Sequence, residues 1–83
     1  SRGLGDVYKR QLVERLTIDA IHEHRELLER AENLFNELPA DVKAGKELVS
    51  DAHIAYLEAT IRMHAQMSAL TTLLHILGYT PKA

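Results

Sequence analysis

Five histidines are the residues of this 83-residue chain whose type best suits metal binding or acid–base chemistry. Two ligands on one helix normally stand three or four residues apart, so that both side chains reach one ion. His22 and His24 are only two apart, and on a helix their side chains point roughly 200° apart. His53, His64 and His75 recur at intervals of eleven, which places them on one side of a helix with about 16 Å between neighbours. The spacing therefore favours structural or surface histidines, and a metal site would need a further ligand from the first helix or from a second copy of the chain.

Four glutamates advance by threes through the first half of the chain, at Glu23, Glu26, Glu29 and Glu32. Paired carboxylates can do acid–base work in a cleft, but the sequence holds no nucleophile paired with a base and no loop of oxyanion donors. It also holds no glycine-rich phosphate loop. A solvated helix face is the favoured interpretation of the glutamate row. We therefore predict no enzyme activity, no catalytic residue, no metal ligand and no cofactor.

Two helices are predicted to position these side chains. In the first half of the chain, six residues follow one another at alternating intervals of three and four, which places them on one face of a helix. They are Ile21, His24, Leu28, Ala31, Phe35 and Leu38. This pattern predicts a helix over about residues 17–38 with Thr17 as N-cap, although a start near Leu12 stays open, and Pro39 ends it. A connection at residues 39–50 leads to a second helix over about residues 51–77. That helix is capped by Ser50 or Asp51 and stopped by glycine at position 78.

The second helix is apolar on two sides, and a helix of this kind needs two packing partners. One partner is the first helix, and the other is most simply a second copy of the chain. The predicted fold is all-α, with two long antiparallel helices in a helical hairpin that dimerises into an assembly like a four-helix bundle. The residues predicted to pack in the core or the dimer are Ile21, Leu28, Phe35, Tyr56, Ile61, Met63, Met67, Leu70, Leu74 and Leu77.

Residues 1–11 (SRGLGDVYKRQ) show no apolar periodicity and look like a non-native, adapter-derived segment, so we expect them to be disordered or poorly packed. A genuine flexible N-terminal arm is the alternative interpretation. Residues 12–83 then form a single helical domain. Without the first segment the chain keeps 7 basic and 11 acidic residues, a net charge of −4. The absence of cysteine excludes disulfides and thiolate zinc sites. No apolar run is long enough for a membrane span or a signal segment, which favours the cytoplasm.

Two long strings carry a resemblance to a known family. They are TIDAIHEHRELLERAENLFNELP, residues 17–39, and HIAYLEATIRMHAQMSALTTLLHILGYTPK, residues 53–82. The most specific pieces are MHAQMSAL at residues 63–70 and ILGYTPK at residues 76–82, and together the two strings cover about two-thirds of the chain. The sequence resembles the TraM family of quorum-sensing anti-activators.

The resemblance implies a helical homodimer that binds a LuxR-type, TraR-like transcription activator and blocks its DNA binding, which represses conjugal transfer genes. It implies no direct binding to nucleic acid and no membrane association. An acidic surface would be steered towards a basic DNA-reading domain, so the candidate partner-binding residues are Glu23, Glu26, Glu29, Glu58, Arg62 and Gln66. Two other hypotheses stay open at this point, a generic helical dimerisation or adaptor module and a histidine-metal protein in a bundle core.

Overall fold

A hairpin of two long helices forms the body of the molecule. The computed structural model describes residues 4–45 and 50–83, in which α1 spans Leu4–Glu37, α2 is a single turn at Ala40–Lys43 and α3 spans Asp51–Leu77. Side-chain contacts join the end of α1 to the start of α3 and the middle of α1 to the middle of α3, so the two helices run antiparallel. The predicted all-α helical hairpin is confirmed. Residues 1–3 of the predicted N-terminal segment and residues 46–49 of the predicted connection lie outside the described residues.

Helix α1 begins at Leu4, well before the predicted start near Thr17. No proline precedes Pro39, and residues 9–16 are mostly straight-chain residues and leucine that favour a helix, so the helix continues towards the N-terminus. Thr17 is therefore not an N-cap: it lies inside the helix, fully buried, and its hydroxyl donates to the carbonyl oxygen of Val13 at 2.7 Å. Residues 4–11 are helical rather than disordered, and residues 5–11 are exposed to solvent.

The two ends of α3 follow local capping chemistry. The Oγ of Ser50 accepts a hydrogen bond from the backbone N–H of His53 at 3.1 Å, which satisfies a donor of the first turn. At the other end Gly78 adopts the left-handed conformation, with φ of 85°, and its N–H donates to the carbonyl of Leu74 at 2.9 Å. Both ends lie where the sequence predicts them.

Small side chains dominate the contact between α1 and α3. The buried apolar residues are Ala20, Ala31, Leu38, Val42, Ala59, Leu70 and Leu77. The alanines let the helix backbones approach closely, but they leave the core thin. The molecule is correspondingly elongated, 61 × 17 × 17 Å, with a radius of gyration of 17.8 Å, where a compact chain of this length would have about 12 Å.

Much of the apolar surface of the hairpin consequently stays in contact with solvent. The accessible surface is 6453 Å², whereas a compact monomer of the same mass exposes about 5000 Å². None of the helices in the described part of the chain combines the length and hydropathy of a membrane span.

Candidate protein-binding surfaces

The polar residues predicted to contact a partner lie on both long helices. Glu58, Arg62 and Gln66 follow one another at intervals of four along one side of α3. The amide Nε2 of Gln66 donates to Oε2 of Glu23 at 3.2 Å, so the structure joins this row to α1. Glu23, Glu58 and Arg62 are exposed and Gln66 is half-buried. All of these groups are therefore accessible on one flank of the hairpin.

The other two predicted contact residues, Glu26 and Glu29, are exposed on the outer side of α1. They border a shallow depression of about 480 Å³ together with Glu37 and three further α1 residues, Arg30, Asn33 and Leu34. Three carboxylates against one guanidinium give this part of the surface a negative charge. Its chemistry suits a basic partner and provides no enclosed site for a small molecule.

The ten residues predicted to pack in the core or a dimer divide by exposure. Only two of them are buried in the hairpin, namely Leu70 and Leu77. Four are half-buried, namely Ile21, Tyr56, Met63 and Leu74. The remaining four are exposed, namely Leu28, Phe35, Ile61 and Met67. The ten residues do not include the buried Thr17, Ala20 and Ala59, whose small side chains add little to an apolar pattern, nor Ala31, which belongs to the predicted apolar face of the first helix.

An open cleft lies between the C-terminal half of α1 and the N-terminal half of α3. Its volume is about 440 Å³. Its lining residues are Leu28, Ala31, Glu32, Phe35 and Asn36 from α1 and Tyr56, Thr60, Met63 and His64 from α3. Apolar side chains form most of the surface, and polar groups stand among them. This combination is typical of surfaces that receive the side chains of another molecule.

The aromatic end of the cleft is formed by Phe35 and Tyr56, whose ring centroids lie 5.5 Å apart at an interplanar angle of 52°. Lys43 from α2 places its Nζ 5.3 Å from the centre of the Phe35 ring, within cation–π range. The same ammonium donates to the carbonyl oxygen of Asn36 at 3.3 Å. Phe35 is nevertheless 41% exposed, so its ring remains accessible from solvent.

A second apolar surface runs along α3. Ile54, Leu57 and Ile61 recur at intervals of three and four, which places them on one helical face. Their exposed fractions are 44%, 45% and 67%. Large aliphatic side chains in such a row are the kind of surface that another helix covers. We refer to these three residues as the aliphatic row.

The C-terminal residues fold back along α1. Tyr79 lies beside the carboxylate of Glu14, Pro81 is buried, and Arg25 donates to the carbonyl oxygen of Ala83 at 3.3 Å. Partial desolvation and the negative charge of Glu14 raise the pKa of the Tyr79 phenol above its ordinary value of 10.0. The segment that follows α3 therefore runs along about three turns of α1, from Glu14 to Arg25.

The histidines are dispersed along the two long helices. His24 and His53 are half-buried, whereas His22, His64 and His75 are exposed. Across residues 4–45 and 50–83 no group of three or more histidines, aspartates or glutamates is arranged to hold a metal ion. The Nδ1 of His24 is buried and has no hydrogen-bond partner among the described residues.

The chain is similar along nearly its whole length to one family of repressors. The family model described as Prokaryotic Transcriptional repressor TraM matches residues 2–82. The chain is 56% identical over 71 residues to Transcriptional repressor TraM of Agrobacterium fabrum strain C58, covering 86% of this chain and 70% of that protein. It is 54% identical over 70 residues to Transcriptional repressor TraM of Rhizobium radiobacter, covering 84% and 69%. The crystal structure of a second quorum sensing antiactivator, TraM2 from A. tumefaciens strain A6, matches with a TM-score of 0.87 and 48% identity, over 98% of this chain and 86% of that one.

Proposed function

This chain belongs to the prokaryotic transcriptional repressor TraM family, and from that membership we propose that it is an anti-activator of quorum sensing that binds a LuxR-type, TraR-like activator and blocks its DNA binding. The resemblance carried by residues 17–39 and 53–82 is confirmed. The observation that carries the proposal is the structural match to the antiactivator TraM2 over 98% of the chain. Repression of conjugal transfer genes follows if the activator is one that switches those genes on.

The charge of the hairpin supports a basic partner. The outer side of α1 exposes Glu26, Glu29 and Glu37 around a single arginine, Arg30. A DNA-reading domain carries lysines and arginines that contact phosphates, so its field attracts a surface of this kind. Charge complementarity of this type speeds association and selects the partner, and it adds less to the final affinity. The same acidic surface disfavours direct binding to nucleic acid.

A homodimer is part of the proposal. The chain exposes roughly 1400 Å² more surface than a compact monomer of its mass, and stable interfaces bury about 800 Å² on each partner. The aliphatic row is an exposed apolar surface that a second copy can cover. A dimer through α3 would also thicken the small core of the hairpin.

We place the protein in the cytoplasm, where a transcription activator is available to it, and assign it no catalytic role. It would act by steric blocking, because it covers the surface with which the activator binds DNA. No cofactor is needed for such a role.

A gel-shift titration tests the proposal. The LuxR-type activator encoded nearest to this gene is bound to its operator together with its autoinducer, and this protein is added in increasing amounts. We expect a molar excess of the dimer to abolish the shifted band. An unchanged band with both proteins folded contradicts the assignment for that activator, and failure with several LuxR-type activators favours a plain dimerisation module.

Charge reversal on α1 tests whether its carboxylates raise the association rate with the activator, as distinct from the affinity of the final complex. The double variant Glu26→Lys and Glu29→Lys should slow association severalfold at low salt and leave the dimer intact, because both side chains are exposed. The control is Asp6→Lys with Asp19→Lys, which changes the net charge equally at exposed positions outside the predicted contact set. Stopped-flow or surface-plasmon measurements over a range of salt give the rates. An equal effect of both double variants would assign the steering to net charge alone.

A further inference from the structure

The cleft between α1 and α3 brings together groups that suit a planar cation. Glu32 and Asn36 lie on its α1 side, and Thr60 lies on its α3 side. The Oγ1 of Thr60 is buried and has no hydrogen-bond partner among the described residues. A buried hydroxyl without a partner is costly, so a rotation of the Thr60 side chain that turns this oxygen towards the cleft would let an entering donor supply the missing hydrogen bond. Glu32 is exposed and makes no ion pair within the described part of the chain.

An internal cation already uses part of this arrangement. The ammonium of Lys43 lies over the Phe35 ring and donates to the Asn36 carbonyl. Both contacts are on the surface, so an incoming cation can displace Lys43 at small cost. The position of Lys43 marks the Phe35 ring and the adjacent carbonyl as a place where positive charge is stable.

We propose that this cleft is the recognition site for an arginine side chain of the basic partner, with its guanidinium stacked against Phe35 and Tyr56 and paired with the carboxylate of Glu32. This inference rests on the proposed function and deepens it, because it names the chemistry by which the DNA-reading part of the activator is held. The arginine used here is withdrawn from phosphate or base contacts, which connects recognition with the loss of DNA binding.

Arginine fits these groups better than lysine or an aliphatic side chain. A guanidinium is planar, stacks on aromatic faces, and presents five donors to carboxylate, hydroxyl and carbonyl oxygens together. The apolar floor of Leu28, Ala31 and Met63 would pack against its methylene stem. An aliphatic side chain would cover Glu32 and Thr60 without satisfying either of them. A second copy of the chain has the aliphatic row as a separate apolar surface, which leaves the cleft to the partner.

The first arm of the test uses a probe that does not depend on the activator. Acetyl-Ala-Arg-Ala-amide and acetyl-Ala-Lys-Ala-amide are titrated at millimolar concentration into the isotopically labelled dimer. We expect the arginine peptide to shift the resonances of Phe35, Tyr56 and Thr60, and the lysine peptide to shift them less. Glu32→Gln should remove most of the response. Absence of shifts in the cleft, or equal shifts with Glu32→Gln, would overturn the inference.

The second arm measures the affinity of the activator for matched variants. Glu32→Gln should weaken the complex about tenfold, the loss of one charge-assisted pair. Asp19→Asn, which removes one negative charge at an exposed position outside both the cleft and the acidic depression, should stay within about twofold. Phe35→Leu should weaken binding about three- to tenfold with the helicity retained. Lys43→Ala should strengthen binding more than Lys82→Ala, because only Lys43 competes for the Phe35 ring.

The outcomes separate this inference from the proposed function. If Glu32→Gln and Asp19→Asn both bind the activator as tightly as the parent chain, the arginine site is wrong and the anti-activator role stands. If the cleft responds to the arginine peptide but no LuxR-type activator binds, the site stands and the proposed function fails. If Glu32→Gln or Phe35→Leu converts the dimer to monomers by light scattering, a second copy occupies the cleft and the inference is overturned.

Discussion

Single residues of two kinds hold the hairpin together, small ones where the helices touch and a few leucines that fill the remaining space. Ala20, Ala31 and Ala59 are almost fully buried and contribute close approach rather than volume. Only a few large side chains are buried inside the hairpin, and they account for most of its buried apolar area. Leu70 and Leu77 on α3 are two of them. Each of these leucines carries a large share of the stability of a thin core.

Truncation of Leu70 should measure that share. Leu70 is 8% exposed, so Leu70→Ala removes buried methyl groups and leaves a cavity, and we expect a loss of about 2–4 kcal/mol in the free energy of unfolding. Leu16→Ala is the matched control: Leu16 is 56% exposed, and its truncation should cost no more than about 0.5 kcal/mol. Urea denaturation followed by circular dichroism gives both values. Equal losses would contradict the placement of Leu70 in the core.

The pair of Tyr79 and Glu14 predicts an alkaline effect. The pKa of Tyr79 is raised in the folded protein, so the stability contributed by its protonated phenol is complete below the ordinary pKa of 10.0 and is lost as pH rises through the raised value. We expect Tyr79→Phe to lower the melting temperature slightly at neutral pH, and this difference from the parent chain should shrink as the pH rises above 10.0 and the phenol loses its proton. A difference that stays constant with pH would show that the phenol does not interact with the carboxylate of Glu14.

At the scale of the elements, the three best-defined helix ends have local causes. Pro39 cannot continue α1, Ser50 caps α3, and Gly78 supplies the left-handed residue that closes it. The start of α1 has no such signal, and the helix extends beyond the end of α3. Residues 5–11 are consequently helical in backbone but exposed in their side chains.

Deletion of residues 1–11 should therefore have a small effect. The segment contributes exposed side chains and little buried apolar area, so the melting temperature should fall by no more than about 1–2 °C. Differential scanning calorimetry of the full and shortened chains makes the comparison. A larger fall would mean that Val7 or Tyr8 packs against the body of the dimer, and that this segment belongs to the functional domain.

At the scale of the whole molecule, the hairpin exposes two apolar surfaces with different chemistry. The cleft mixes aromatic rings with polar groups, whereas the aliphatic row of α3 offers only branched carbon side chains. An arginine-bearing partner suits the first and a second helical hairpin suits the second. In the proposed function, this division would let one chain form a dimer and hold an activator without competition between the two interfaces.

The dimer is tested through the aliphatic row. Ile61 is 67% exposed in the hairpin, so Ile61→Glu should leave the fold intact and convert the dimer to monomers at micromolar concentration, because a buried unpaired carboxylate is costly in an interface. Leu16→Glu, with the same kind of change at a position 56% exposed on α1, away from the aliphatic row of α3, is the control. Light scattering measures the molar mass of each variant in solution. A parent chain that is already monomeric and folded at micromolar concentration would exclude the proposed dimer.

The sequence by itself determined the fold class, the family and the ends of α3. Helical periodicity, a proline, a serine cap and a glycine are local signals, and each acts within about one turn of the chain. The range Asp51–Leu77 could therefore be predicted without any knowledge of its neighbours. The matched strings identified the family because they extend over both helices.

The tertiary structure alone decided which side of each helix is buried. The sequence predicts Thr17 to be a helix cap, but the structure places it fully buried inside α1. It predicts Phe35 to be a core residue, but Phe35 is 41% exposed beside Tyr56 in the cleft. The reason is physical: apolar residues cover more of each helix than one partner can bury, so the pattern alone leaves several packings open. One of these packings is selected by the close contact of the helices at Ala20, Ala31 and Ala59, because these small side chains set the distance between the helices and their register. That register is what opens the cleft and leaves the aliphatic row facing solvent.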